Sequence, residues 1–236
     1  ERRHIMLEVN RLLEILNTIA PFETAEAWDN VGLLLGEGNQ HVKKILLALD
    51  LTDSVIDEAI IKKCDLIITH HPVIFNGIKH ITSEDRLGKS IIKLLKNDIA
   101  VVAMHTNLDR QFENGINYYI ANKYNLMHIT PLNAIHGFGV IGNYDTPLDL
   151  NEFIRLTKDI FNIKHVKVVN AMHAETIGIR RIAICSGSAS DYISDAMVED
   201  ADVYITSDLK YHEAQMVLGT QLMLVDVGHF ESEVLF

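Results

Sequence analysis

Scarcity characterises this chain before any motif does. Its 236 residues hold two cysteines, four prolines and one tryptophan, and only 21 lysines and arginines against 32 aspartates and glutamates. Cys64 and Cys185 are too few to staple a fold; each lies in or beside an apolar stretch, and both are expected buried and reduced. The shortage of cations gives a formal net charge of -11. Such a surface repels a phosphate backbone, which sets nucleic-acid binding aside. No apolar run approaches the roughly 18–20 residues of a membrane span, and no charged segment followed by an apolar one opens the chain as an export signal would. A cytoplasmic protein is expected. Met6 reads as the natural start, with Glu1 to Ile5 left out of the argument.

What is present is an ordinary core composition, 48% hydrophobic and 22% charged, which excludes a disordered or collagen-like chain. Leu7, Leu12, Leu13, Leu16 and Ile19 recur at helical spacing until Pro21. VGLLLG and KKILLALD read as strands, and Thr52 caps a helix over 53–63. CDLIITHHP is a buried strand that breaks at His-His-Pro. A helix over 87–97 precedes the strand IAVVAMH and the polar turn TNLD, and a helix over 112–124 follows. The second half repeats the habit, with strands in HGFGVIGNY, HVKVVN, RRIAIC, ADVYITSD and TQLMLVDV. Helices lie between them in PLDLNEFIRLTKDIF, DYISDAMVED and LKYHEAQMVLG. Strands alternating with helices predict an α/β fold of two interlinked lobes, with mainly parallel sheets flanked by helices. The first lobe is assigned 1–104 plus 230–236 and the second 105–229.

Open parallel sheets gather ligands beyond the carboxyl ends of their strands, and this chain places an excess of its 12 histidines there. His70 and His71 end one strand, and Pro72 biases His71 toward extended backbone. Taken alone the pair reads as well as a solvent-facing feature. Asp109 closes HTNLD as an oxygen ligand or as a helix N-cap. His105, at the strand end, orients a ligand from behind or satisfies the core. His229 and Glu233 lie four residues apart, on one face of a starting helix, where they are a ligand pair or a surface hydrogen bond.

Convergence favours the metal reading. Three strand ends supply His70, His71, Asp109, His229 and Glu233, nitrogen and oxygen donors without a thiol. The set suits two divalent ions sharing a carboxylate, and Zn, Mn, Fe, Co or Ni rather than Ca or Mg. Two such ions less two carboxylates leave a local positive charge, on a chain of net -11, that could hold a small anionic substrate.

At these residues the sequence resembles the GTP cyclohydrolase 1 type 2 family, also called NIF-three-like proteins. The segments AEAWDNVGLLLG, DLIITHHPVIF, AMHTNLD with the following NGIN, ADVYITSDLKYHEA and DVGHFESE occur in the family's order and cover nearly the whole chain. The resemblance implies two interlinked α/β domains with a dinuclear metal site in the cleft between them, and a homohexameric ring. It implies that His71 and Asp109 hold one metal, His70 and His229 the other, and that Glu233 bridges. Two departures stand out: Ser207 occupies a position where the family usually has glycine, and the chain stops three residues past Glu233, where family members continue.

Other residues carry alternatives. Trp28, Asp29 and Asn30 are family-like, with Trp28 read first as packing. Lys210 could meet a phosphate and His212 could move protons, or both are exposed polar residues behind an Asp208 cap. The turn SGSAS could cradle an anion with its amides. Neither Cys64 nor any serine shows a base partner, so water activated by metal is the expected nucleophile. The expected activity is a dinuclear metal-dependent hydrolase acting on a small anionic substrate. The family name implies opening of the imidazole ring of a purine nucleotide, with His105 or His212 as proton shuttle. The alternatives are a metal-dependent phosphoesterase on a small metabolite, and a non-catalytic metal-binding scaffold or metal chaperone.

Overall fold

The computed structural model describes residues 7–235; the Met6 start, Glu1 to Ile5 and His4 lie outside them. The chain divides into two compact units, Glu1–Leu108 and Asp109–Phe236. The division falls inside HTNLD. Residues 230–236, which the sequence reading joined to the first lobe, group with the second unit, where the Gly187 amide donates to the Ser232 hydroxyl oxygen.

The first unit runs β1 (Leu7–Glu8), α1 (Val9–Ile19), β2 (Gly32–Leu35), β3 (His41–Val42), β4 (Ile45–Ala48), α2 (Asp53–Lys62), β5 (Leu66–Thr69), α3 (Arg86–Lys96) and β6 (Ala100–Ala103). Its four-stranded sheet has the order β2-β6-β5-β4, with β4, β5 and β6 parallel and β2 antiparallel to β6. Helices cover both faces, so β5 and β6 are continuously apolar. Ile67 and Val101 pack under Ile56 and Ala59 of α2 and Leu94 of α3. Leu66, Ala100 and Val102 pack on the other face against Val9 and Leu12 of α1. Both crossover helices are capped as their sequences dictate: Thr52 Oγ1 accepts the Val55 amide at 3.2 Å and Asp85 Oδ1 the Gly88 amide at 2.8 Å. The register sets Ala48, Thr69 and Ala103 side by side, so the residues that follow these strands emerge level at one sheet edge.

A single helical turn, α4 (Thr106–Asp109), stands where a polar turn was expected. Then come α5 (Ile116–Lys123), β7 (Met127–Pro131), β8 (Val140–Leu148), α6 (Leu150–Phe161), β9 (Lys167–Val169), α7 (Met172–Ile177), β10 (Ile179–Ile184), α8 (Ile193–Val198), β11 (Val203–Thr206), α9 (Tyr211–Gln215), β12 (Met223–Asp226) and α10 (His229–Glu233). The six-stranded sheet of this second unit has the order β7-β8-β10-β11-β12-β9. Only its centre, β10-β11-β12, is parallel; the other pairings are antiparallel. One face buries Ile182, Val203 and Val225 against Ile120 of α5, Tyr124 at its C-terminal cap and Phe153 of α6. The other buries Ala183, Tyr204 and Leu224 against Ile193 and Ala196 of α8. Sequence pattern missed β7 and α7, an edge strand and a six-residue helix too short to show a period. It also overextended α9, which spans only Tyr211–Gln215.

Candidate metal centre

In the first unit three imidazoles meet at the ends of β5 and β6. The ring centroids of His70 and His71 are 5.0 Å apart, and His105 lies 5.1 and 5.4 Å from them. Neighbours within a strand face opposite ways, but these histidines follow the last residue of β5, where the chain has left its pleat. One ring nitrogen from each of the three lies within 4.8 Å of the others, a set that could hold a metal ion.

The Nδ1 atoms are all engaged elsewhere. His70 Nδ1 meets the carbonyl oxygen of Met104 at 2.9 Å, His71 Nδ1 meets Asp50 Oδ1 at 2.9 Å, and His105 Nδ1 meets Asp29 Oδ1 at 2.9 Å. A carbonyl or a carboxylate only accepts, so each Nδ1 carries the proton and Nε2 keeps the lone pair. Such outer acceptors fix the ring and its tautomer for ligation.

Asp29 is the most heavily used of these acceptors. Its side chain is closed to solvent and also accepts the amide and the hydroxyl of Thr106. Burial pushes its carboxyl up, but the hydrogen bonds from His105 and Thr106 outweigh that and hold it at about 2. Trp28 stands edge-on to His105 at 6.0 Å and against Phe75 at 5.7 Å, yet is 57% exposed. It packs over the histidine from the solvent side.

The second unit assembles another set of donors. On α10, His229 Nε2 lies 3.2 Å from Glu233 Oε2, and Glu233 is buried. His229 Nδ1 meets Asp208 Oδ2 at 2.7 Å, the same outer-acceptor arrangement as in the first unit. The hydrogen bond to Glu233 pushes the imidazole up to about 9, with burial opposing and Asp208 assisting. Asp208 reaches this place with a left-handed backbone, φ 55°.

Gly187 makes the approach possible. Its φ is 68°, and a Cβ there would collide with Glu233 Oε1 and come within 3.6 Å of His229 Nε2. The turn SGSAS therefore leaves room for the carboxylate at Gly187. The amides of Ser186, Gly187 and Ala189 already donate to Asn117 Oδ1, Ser232 Oγ and Thr206 Oγ1. Ser207 is fully buried, its amide donating to the Gly187 carbonyl, and its hydroxyl has no hydrogen-bond partner among the described residues.

Asp109 ends α4, half-buried, close enough to help raise Cys185. Burial is the main cause that pushes the Cys185 thiol up and keeps it protonated, so it offers no thiolate. His212 stays on the surface of α9, its Nδ1 3.2 Å from Gln215 of the same helix, and Lys210 is exposed beside Glu213. The outer acceptors Asp29, Asp50 and Asp208 were visible only as strand-end or motif residues, without their partners.

Among the described residues no helix is long and apolar enough to cross a membrane. The model of the family Duf34/NIF3 (NGG1p interacting factor 3) matches residues 7–236. A relative named "GTP cyclohydrolase 1 type 2 homolog" from Clostridium perfringens is 35% identical over 232 residues, covering 96% of this chain and 87% of the relative. The crystal structure of Staphylococcus aureus hypothetical protein SA1388 superposes with a TM-score of 0.87 at 32% identity, covering 96% of this chain and 87% of that one. Reduced HcgD from Methanocaldococcus jannaschii gives a TM-score of 0.84 at 31% identity, covering 98% and 90%.

Proposed function

The chain belongs to the Duf34/NIF3 family, and from that premise and its tethered histidines we propose that it is a two-metal hydrolase. His70, His71, Asp109, His229 and Glu233 hold two divalent ions, drawn from Zn, Mn, Fe, Co and Ni. The observation that carries the reading is the shared chemistry of the imidazoles. His70 and His71 each turn Nδ1 to an acceptor, which presents Nε2 for ligation before any metal arrives. His229 turns Nδ1 to Asp208 in the same way, and its Nε2, which faces Glu233, would give up its proton to a metal. The donors fit such ions, being nitrogen and carboxylate oxygen with the nearby thiol held protonated. When bound, a pair of divalent ions lowers the pKa of water toward neutrality and polarises the bond under attack.

The remaining work falls to the chain itself. Asp29 holds the Nδ1 proton of His105, so His105 accepts and returns a proton at Nε2 beside His70 and His71. Glu233 is kept desolvated and fixed by the Gly187 turn, ready to face two cations rather than one. The substrate is a small anion. The relatives' name supports GTP as that anion, and the family resemblance implies that its imidazole ring is opened with release of formate. Assembly into a six-subunit ring belongs to the same reading and is measured by light scattering.

The test is a turnover panel with each metal loaded in turn. Formate from GTP without phosphate is the expected result. Phosphate without formate would turn the assignment toward a phosphoesterase, and neither product with any metal would end the hydrolase reading.

A further inference from the structure

Beside His71 the first unit carries an open-sided cavity of about 520 Å³, within the range of small-molecule sites. We propose that this cavity is a phosphoryl-binding subsite, with Arg86 and Ser90 as its side-chain donors. Its wall is built where two helices begin. Thr52, the cap of α2, lies on one side, and Arg86, Leu87 and Ser90 of the first turns of α3 lie on the other. Both helices are long enough to carry a macrodipole, with 10 and 11 residues, and their positive ends meet at the same space. The Asp85 cap satisfies only the Gly88 amide through its side chain, which leaves the Arg86 and Leu87 amides without an intrahelical acceptor.

Two side chains give this space a preference for oxyanions beyond that of helix ends. Arg86 and Ser90 are four apart on α3 and so share one face. Arg86 makes no ion pair among the described residues. Ser90 is only 5% exposed, and its hydroxyl has no hydrogen-bond partner among them, although it lines the cavity. Its hydroxyl is therefore available to a ligand that enters the cavity.

Asp50 also lines the cavity, with Oδ1 turned to His71, and Asp85 is turned to Gly88, so Arg86 is the group that must offset the Asp50 charge. A planar guanidinium, a hydroxyl and first-turn amides are the donor set that tetrahedral phosphoryl oxygens accept from. Leu51, Val73 and Leu87 supply an apolar remainder that suits the organic part of a phosphate ester. That this phosphoryl group belongs to the hydrolase substrate rests on the reading above; the subsite itself does not.

Inorganic phosphate titrated by calorimetry into metal-stripped and metal-loaded protein tests the site directly. Metal content is measured on the same samples. Wild type should bind in both forms. Arg86→Ala should weaken binding by about tenfold or more, and Ser90→Ala by less, with metal content unchanged. Arg86 is exposed, so its variant keeps the fold, and Arg86→Lys should recover part of the loss. A nucleoside triphosphate should lose affinity on Arg86→Ala while the matching nucleoside does not, which separates a phosphate ester from free phosphate. Absence of phosphate binding to the stripped wild type, or equal binding by Arg86→Ala, would overturn the subsite. Arg86-dependent binding in a protein that takes up no metal would keep the subsite and remove the hydrolase reading instead.

Discussion

The two units hold their candidate metal ligands by different means. In the first, the histidines issue from the level ends of parallel strands whose last residues, Thr69 and Ala103, are buried, and each ring is tied by a hydrogen bond at Nδ1. In the second, His229 and Glu233 sit on a helix of five residues, too short to hold itself. Its position depends on Ser232 binding the Gly187 amide, on Asp208 holding His229, and on the missing Cβ of Gly187. The first set is rigid because the sheet is rigid; the second is rigid because a turn is fastened to it. Substitutions away from the ligands should therefore damage the second set more.

The sharpest way to break that contrast is Gly187→Ala. The added methyl strikes Glu233 and the backbone is held at a φ that alanine resists. Loss of stability should be roughly 1–3 kcal/mol, with metal uptake reduced. In Glu233→Ala the same glycine substitution should cost less, since the colliding carboxylate is gone. Equal costs in both backgrounds, read from denaturant midpoints, would show that Gly187 does not act through Glu233.

Removing the outer acceptors comes next. Asp50→Ala and Asp208→Ala should each lower metal affinity roughly 10- to 100-fold. Asp208→Ala should be the worse of the two, because His229 sits on a five-residue helix and His71 at the end of a sheet strand. Competition with a chromophoric chelator measures both. Identical losses would make the two units equivalent and the contrast empty.

The smallest effect concerns Asp29 and pH. Its carboxyl is lowered to about 2 in the folded protein from an ordinary 3.8. It thus contributes stability that is fully present above about pH 4 and lost as pH falls toward 2, on the order of 2 kcal/mol in all. Asp29→Asn should therefore be less stable than wild type at neutral pH by about that amount, and the difference should close between pH 4 and 2. A difference that stays constant across that window would show that packing, not the carboxylate charge, is what Asp29 supplies.

Sequence reasoning located the strand ends because β5, β6, β11 and β12 are continuous apolar runs broken by polar residues, the signature of strands covered on both faces. It also identified His229 and Glu233 as a pair, since an i, i+4 relation is local. The second sheet proved more mixed than its alternating pattern suggested, because antiparallel β8 and β9 leave no local mark of direction. The outer acceptors were out of reach for a different reason. Asp29 finds His105 across 76 positions, and Asp50 and Asp208 each find their histidines across 21. Such pairings exist only once the sheets have formed. Gly187 is the same case: as sequence it is one glycine of a small-residue turn, and only the returning α10 shows what its missing side chain makes room for.

Elemental analysis of the purified protein, wild type beside Glu233→Ala and His70→Ala, tests the two-metal centre most directly. Two divalent ions per wild-type chain are expected, and fewer than two in each variant while circular dichroism stays unchanged. A wild-type protein that retains no metal after loading with Zn, Mn, Fe, Co or Ni, or variants that retain both ions, would contradict it.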